Sequence, residues 1–285
     1  MGGESTRPGY ERVPEEEEIG RVAPVIAAVK ERFDIPVSLD TCKARVAREG
    51  IDAGADLIND IWALQADEAM GKVIASSRVA CCLMHNRRDP LPGLTMDRLT
   101  REMGEDVKRA LDAGIATDRI ILDPGVGFAK TQEENLMVIA NLRQCRELGL
   151  PLLLGTSRKS CIGYILDLPT DQRLEGALAT TAWAVLQNIA FVRVHDVKEN
   201  VRFIRMMEAL RDRNARGRDR RERMAAERRE PYRFRKERQM EQIFIRDLQV
   251  YGYHGVYSQE QGTGTAVSSC RPGRIWSFAR AAASD

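Results

Sequence analysis

Two hydrophobic periodicities alternate along most of the chain. Short apolar runs, typical of buried strands, occupy residues 36–41, 55–61, 79–85, 119–125, 151–155 and 190–197. Between them, apolar residues recur at helical spacing and predict helices over residues 15–32, 43–53, 67–76, 96–113, 132–148, 174–188 and 198–210. Because the links are short, this alternation predicts parallel strands joined by helical crossovers.

Two α/β architectures fit that alternation, a doubly wound sheet and a (β/α)₈ barrel. No G-x-G-x-x-G sequence follows any predicted strand, which argues against a dinucleotide-binding sheet. Polar residues stand at the carboxyl ends of successive predicted strands, where a barrel gathers its site. They are Asp40, Asn59, His85, Asp123, Ser157 and the pair Arg193 and His195. Any one of them alone reads equally well as a cap or a turn former, but together they favour an α/β fold of (β/α)₈ TIM-barrel type.

The apolar residues 151–154 predict a strand that is buried on both faces. A turn of Gly155, Thr156 and Ser157 follows, so that Arg158 to Ser160 stand where a helix begins. Backbone N–H groups, two cations and hydroxyls at such a turn favour a bound phosphate or carboxylate. The simpler interpretation is an ordinary basic loop after a strand.

The candidate residues divide by charge, which indicates the kind of ligand. Asp40, Asn59 and Asp123 supply acceptors for a flat heterocycle with an amino group beside a ring NH. Arg7, Lys159, Arg193 and His195 supply donors for an anion. The combination predicts a nitrogen heterocycle attached to an anionic group.

A general-base pair is harder to find. Adjacent strand residues point to opposite faces, so His195 and Asp196 are not expected to form a dyad. No Cys/His or Ser/His arrangement stands out. These residues suit a reaction with a good leaving group, which needs positioning and charge stabilisation more than acid–base help.

Seven motifs closely resemble those of the dihydropteroate synthase family, in that family's order and at similar spacing. They are GGESTRPG at residues 2–9, SLDT at 38–41, LINDI at 57–61, LMH at 83–85, LDPGVGFAK at 122–130, GTSRKS at 155–160 and RVHDV at 193–197. The resemblance implies a barrel that joins 6-hydroxymethyl-7,8-dihydropterin diphosphate to 4-aminobenzoate. The expected products are 7,8-dihydropteroate and diphosphate, in folate biosynthesis, with Mg²⁺ assisting.

The resemblance also implies roles for the matching residues. Asp40, Asn59 and Asp123 would hold the pterin nitrogens, with Lys159 on the carbonyl side and Met84 and Phe128 as apolar neighbours. Arg193, His195 and Asn59 would hold the diphosphate, Thr6 and Arg7 would close over it, and Ser160 would receive the aminobenzoate carboxylate. Diphosphate is expected to leave first, and the arylamine then attacks a pterin-stabilised methylene cation.

The start of the chain departs from the family's pattern. Members usually carry a further segment ahead of GGESTRPG, with the first strands and the Asn that binds Mg²⁺. The resemblance therefore predicts residues 1–210 as a barrel that lacks about the first two strands, has no metal ligand of its own and has negligible synthase activity. The opening residues are predicted as a loop.

The remainder of the chain has a different character. Residues 211–239 are charged and arginine-rich and predict a solvated helix and linker that joins two folate modules; a nucleic-acid-binding arm is the alternative. Residues 240–262 resemble the opening of dihydroneopterin aldolase, and no aldolase activity is expected without its later catalytic residues. Residues 263–285 are predicted as an unstructured or frameshifted tail.

The composition indicates where the protein is located and the state of its cysteines. No apolar run is long enough to cross a membrane and no signal peptide is recognisable, so a cytoplasmic protein is expected. The six cysteines lack CxxC pairs, which predicts buried, reduced thiols. A homodimer is implied by the family resemblance alone.

Two other functions fit parts of the sequence. One is a barrel that binds methyltetrahydrofolate and transfers its methyl group; the diphosphate and aminobenzoate motifs argue against it. The other is a non-catalytic pterin-binding remnant.

Overall fold

The computed structural model describes residues 1–5, 11–77, 79–88 and 93–226, with side chains as far as residue 213. Thr6 and Arg7 lie outside the described residues, as do the aldolase-like segment 240–262 and the tail 263–285. The predicted division into domains therefore stays a prediction.

Within those ranges, strands and helices alternate as the hydrophobic pattern predicts. The strands are β1 Ser38–Asp40, β2 Leu57–Asp60, β3 Ala80–Met84, β4 Ile120–Asp123, β5 Leu153–Leu154 and β6 Phe191–Val192. The helices are α1 Glu15–Arg32, α2 Ala44–Asp52, α3 Met70–Ser77, α4 Met96–Asp112, α5 Gln132–Ala140, α6 Leu142–Cys145, α7 Ser160–Leu166, α8 Leu174–Leu186 and α9 Val197–Ala226.

All the strand pairs are parallel and follow the order of the chain. Strands β1 to β4 form one sheet, and β5 pairs with β6. A single parallel bridge between Leu122 and Leu152 connects the two groups, and another joins Gly2 to Asp40. The opening segment, predicted as a loop, therefore lies beside β1. The predicted parallel architecture is confirmed.

The two faces of the strands bury different residues because side chains alternate along a strand. On one face Leu39, Ile58 and Leu122 belong to the large core shared with the helices. On the other face a small second cluster contains Cys82, Ile121, Leu153 and Phe191, with Leu57 packed against it. The polar residues Asp40, Asn59 and Asp123 alternate onto this second face.

Several predicted boundaries are wrong. The helix predicted over residues 132–148 breaks at Asn141, which has non-helical backbone angles and whose side chain donates to the Met137 carbonyl at 2.8 Å. The strand predicted over residues 190–197 is only Phe191–Val192. Its continuation turns towards the β5 loop, where the His195 amide donates to Ser157 Oγ at 3.1 Å.

Helix α9 does not end at residue 210 as predicted but continues to Ala226, into the arginine-rich segment.

The cysteine prediction is confirmed for the described residues. Cys42, Cys81, Cys82, Cys145 and Cys161 are free and buried. Burial raises the pKa of the Cys81 thiol to about 12 and that of Cys42 to about 11, so these thiols stay protonated. None of the described helices is long and apolar enough to cross a membrane.

The turn after β4 passes very close to the end of β3. The His85 amide donates to the Asp123 carbonyl at 2.8 Å. Gly125 has a φ of +68°, and a Cβ at this position would lie 2.0 Å from the His85 carbonyl oxygen. Only glycine fits this approach.

Replacing Gly125 with alanine should therefore destabilise the fold by about 3 kcal/mol, through left-handed strain and a backbone clash. Gly149 is the matched control, because it has a φ of +76° but open space around its Cα. Its alanine variant should lose only about 1 kcal/mol. Denaturant unfolding of both variants measures the difference; equal losses would contradict the close approach.

Candidate active site

An ion pair joins the two ends of the strand row. Asp40 ends β1 and Arg193 follows β6, and Arg193 Nη1 lies 3.3 Å from Asp40 Oδ2 across 153 positions of sequence. Because both groups follow the carboxyl ends of their strands, this contact defines one rim. The candidate residues from the intervening strands lie along that rim.

Two buried polar atoms at this rim lack a hydrogen-bond partner among the described residues. They are Asp40 Oδ1, an acceptor, and Asn59 Nδ2, a donor. Asp40 and Asn59 are neighbours in the parallel register of β1 and β2. An unsatisfied buried polar group costs about 1–3 kcal/mol, so this pair indicates a place prepared for a ligand.

Asp123 and Met84 complete the floor of the rim. They are register neighbours at the ends of β4 and β3, and both are almost fully buried. Asp123 Oδ1 accepts the Gly125 amide at 2.8 Å, which fixes the carboxylate at the start of the loop.

Lys159 supplies a cation opposite these carboxylates. Its ammonium lies 4.9 Å from the centroid of the Phe128 ring and donates to the Val126 carbonyl. Burial lowers the pKa of Lys159 to about 8, although Asp123 favours the charged form.

The Arg193 side chain lies against Gly155, which has no side chain of its own. A Cβ at Gly155 would lie 3.6 Å from Arg193 Nε, so the side chain passes directly over this glycine. Burial lowers the pKa of Arg193, but the charges of Asp40 and Asp123 outweigh it and the net pKa is raised. The guanidinium therefore stays charged.

His195 and Asp196 face different partners, as predicted. His195 is exposed, and its Nδ1 lies 3.0 Å from Ser157 Oγ. Asp196 Oδ1 instead accepts from Arg158 Nη2 at 2.7 Å. The two residues do not form a dyad; His195 instead contacts Ser157, a Ser/His contact that the sequence did not predict.

Ser160 is exposed at the start of α7, where its hydroxyl oxygen lies 3.3 Å from Gln132 Nε2. Gln132 was not among the predicted residues. Its Oε1 is buried and has no hydrogen-bond partner among the described residues.

A buried cluster beside the rim was also missed. Lys130 Nζ lies 3.0 Å from His85 Nδ1, and His85 Nε2 lies 2.8 Å from Glu102 Oε2. Lys130 belongs to the LDPGVGFAK motif, yet a lysine that follows a loop gives no sign in sequence that it turns inward. His85 was recognised only as a polar residue at a strand end.

Of the predicted residues, the structure brings Asp40, Asn59, Met84, Asp123, Phe128, Lys159 and Arg193 to one rim, with Ser160 and His195 at its exposed margin. Their roles towards a ligand stay predictions. Thr6 and Arg7 lie outside the described residues.

Comparison with known proteins identifies the family. The family model described as pterin binding enzyme matches residues 1–195. Dihydropteroate synthase of Clostridium beijerinckii is 54% identical over 211 residues, which cover 74% of this chain and 78% of that protein. The chain belongs to the dihydropteroate synthase family. The Bacillus subtilis synthase is 47% identical, over 74% of each chain.

Solved structures of dihydropteroate synthases give the same assignment. That of Clostridium difficile, in the presence of pteroic acid, matches with a TM-score of 0.71 and 42% identity, over 73% of this chain and 80% of the other. That of Xanthomonas albilineans with 4-aminobenzoic acid matches with a TM-score of 0.71 and 37% identity, over 74% and 77%. These neighbours confirm the TIM-barrel-type α/β fold of the family.

The buried His85 gives the stability a pH dependence that can be measured. Burial, helped by the Lys130 charge, lowers the pKa of His85 to about 4. Between about pH 6.5 and 4 the unfolded chain binds the proton more readily, so this contribution is full above pH 6.5 and is lost as the pH falls towards 4.

The difference in the free energy of unfolding between the unmodified chain and His85→Gln should therefore fall by up to about 3 kcal/mol as the pH is lowered from 7 to 4. Urea unfolding of both proteins across this range measures the difference. A difference that does not change with pH would contradict a buried neutral imidazole.

Proposed function

We propose that the residues of this rim bind 6-hydroxymethyl-7,8-dihydropterin diphosphate and 4-aminobenzoate and position them for condensation to 7,8-dihydropteroate and diphosphate, the reaction of a transferase of folate biosynthesis. The observation that carries the proposal is the unsatisfied pair of Asp40 Oδ1 and Asn59 Nδ2 at the rim that Asp123, Lys159 and Arg193 share. The resemblance to dihydropteroate synthases supports the substrates.

The rim supports recognition of a pterin ring by complementary hydrogen bonding. A carboxylate accepts two parallel N–H donors from an amino group beside a ring NH, and Asp123 and Asp40 are acceptors of this kind. The Asn59 amide offers a donor to a ring acceptor. Lys159 would donate to the ring carbonyl, and Phe128 and Met84 would contact the flat faces.

The cations suit the departing diphosphate. In the proposed reaction the bond between the pterin methylene carbon and the diphosphate oxygen breaks, and its electron pair leaves with diphosphate. The arylamine nitrogen then bonds to the methylene carbon and loses a proton. Arg193 would stabilise the negative charge on the leaving group. No acid–base pair is needed for the carbon–oxygen cleavage.

Magnesium enters the proposal only as a companion of the substrate diphosphate. Mg²⁺ is usually held by one or two carboxylates together with substrate phosphates. The described residues contain no group of three His, Cys, Asp or Glu side chains suited to a metal, and the diphosphate side of the rim is cationic. These residues do not fit a protein-built magnesium site, and no step is routed through the ion.

Residues 240–262 are proposed as the start of a dihydroneopterin aldolase-like module, joined through the segment 211–239. The proposal rests on the sequence resemblance alone.

Pterin recognition can be tested with pteroic acid, the ligand named for the Clostridium difficile neighbour. Calorimetry should show binding to this chain, and Asp123→Asn should bind about 10- to 100-fold more weakly because a charged acceptor is lost. Asp118→Asn is the matched control, since Asp118 is exposed and precedes the same strand. Release of diphosphate from the two substrates then tests turnover. Absence of pteroic acid binding to the unmodified chain would overturn the proposed function.

A homodimer is proposed from the outer helices α7 to α9. Ile165, Trp183, Leu186 and Met206 are each about half exposed there, which is unusual for large apolar side chains in one region. The family resemblance supports a second copy of the chain as the partner.

Leu186→Arg should therefore convert a dimer to monomers in sedimentation at micromolar concentration, because a charge would be buried in an apolar interface. Leu111→Arg, on α4, is the control, since Leu111 is similarly exposed but lies on a different face. A monomeric unmodified chain would contradict the proposal.

A further inference from the structure

The loop of residues 125–129, which follows β4, has a left-handed backbone at several positions. Gly125, Gly127 and Ala129 all have positive φ angles, of 68°, 85° and 45°. Glycine adopts such angles readily, but a residue with a side chain such as Ala129 does so only when its surroundings fix it. The side chains around the loop must therefore hold Ala129 in this conformation.

Lys130 is one of the groups that fix the loop, together with Asn135, which accepts the Gly127 amide at 2.6 Å, and Arg87, which donates to the Ala129 carbonyl at 3.0 Å. The Lys130 ammonium donates to the Gly125 carbonyl at 3.0 Å and to the Phe128 carbonyl at 3.2 Å, both within the loop. It also lies 3.0 Å from His85 Nδ1, at the end of β3. One side chain therefore ties both ends of the loop to the neighbouring strand.

Glu102 in turn holds His85 through the other ring nitrogen. An ammonium can only donate, so His85 Nδ1 accepts from Lys130 and the Nε2–H donates to Glu102. Glu102 also accepts from Arg98 Nε at 2.6 Å. The imidazole is held in a single tautomer by partners on both sides.

The position of the loop determines the position of Lys159. The Phe128 ring lies beside the Lys159 ammonium, which also donates to the Val126 carbonyl. A Cβ at Gly127 would lie 3.0 Å from Lys159 Cδ, so the lysine stem passes close to the loop backbone. A displaced loop would therefore displace both Phe128 and Lys159.

We propose that Lys130 is a positioning residue of the pterin site, which ties the loop of residues 125–129 to His85 so that Phe128 and Lys159 take their places against the ligand. It does not contact the ligand itself. The inference rests on the proposed function, because it assumes that Phe128 and Lys159 contact a pterin.

The charge of Lys130 makes this arrangement sensitive to pH. The groups that face it are His85, Asp123, Arg87, Lys159 and Glu134. Burial lowers the pKa of Lys130 to about 7, while Asp123 favours the charged form. As the pH rises through 7 the ammonium loses one of its three donors, and the hold on the loop weakens.

The test compares Lys130→Met with the unmodified chain. Methionine keeps the length of the side chain but cannot donate, so at pH 6 pteroic acid should bind about tenfold more weakly in calorimetry. Residues 125–130 should also exchange amide hydrogens faster in mass spectrometry, while the strands keep their protection. Lys108→Met is the control, because Lys108 is an exposed lysine on α4; its affinity and exchange should be unchanged.

Two further readouts separate positioning from a general loss of structure. The loss from Lys130→Met should be smaller in a Phe128→Leu background, since part of its effect acts through that ring and the rest through Lys159. The difference in affinity between the unmodified chain and Lys130→Met should also shrink as the pH rises from 6 to 8.

Normal binding of pteroic acid by Lys130→Met, or a loss that is equal in both backgrounds and at both pH values, would overturn the inference. Failure of the unmodified chain to bind pteroic acid would instead overturn the proposed function. In that case the exchange of residues 125–130 still decides whether Lys130 holds the loop.

Discussion

The contact between Asp40 and Arg193 is the constraint on which the site depends. It joins the first and last strands of the row, so the polar residues of all the intervening strands face a common space. It also balances charge, because Asp40 and Asp123 are two partly or fully buried carboxylates that repel each other. Removing the arginine would leave Lys159 as the cation that faces both carboxylates, at a cost above that of a surface ion pair.

The fold tolerates polar atoms at the rim that lack hydrogen-bond partners. Asp40 uses one oxygen for Arg193 and leaves the other without a partner among the described residues, and Asn59 Nδ2 also lacks one there. A folded protein tolerates such a cost where the large helix-side core supplies the stability and a ligand later supplies the partners. The packed core on one face of the strands therefore supplies stability, and the polar rim on the other face serves ligand recognition.

The sequence predicted the architecture well because strand and helix periodicities are local. Asp40, Asn59 and Asp123 were recognised because each directly follows an apolar run that places it at a strand end. Boundaries were predicted less well: Asn141 breaks a helix whose apolar pattern continues, and Ser157 draws away a segment that alternates like a strand. Lys130 and Gln132 were missed because their partners, His85 and Ser160, are 45 and 28 positions away and no local pattern connects them.

The buried cysteines of the described residues can report when the fold opens. The cysteines among the described residues are distributed from the end of β1 to α7, and burial keeps these thiols protonated and inaccessible while the chain is folded. An alkylating reagent can therefore reach them only during local or global opening. Because Cys82 lies in the small cluster beneath the rim and Cys145 in the helix-side core, mass-resolved alkylation of these two thiols distinguishes breathing of the ligand site from loss of the scaffold.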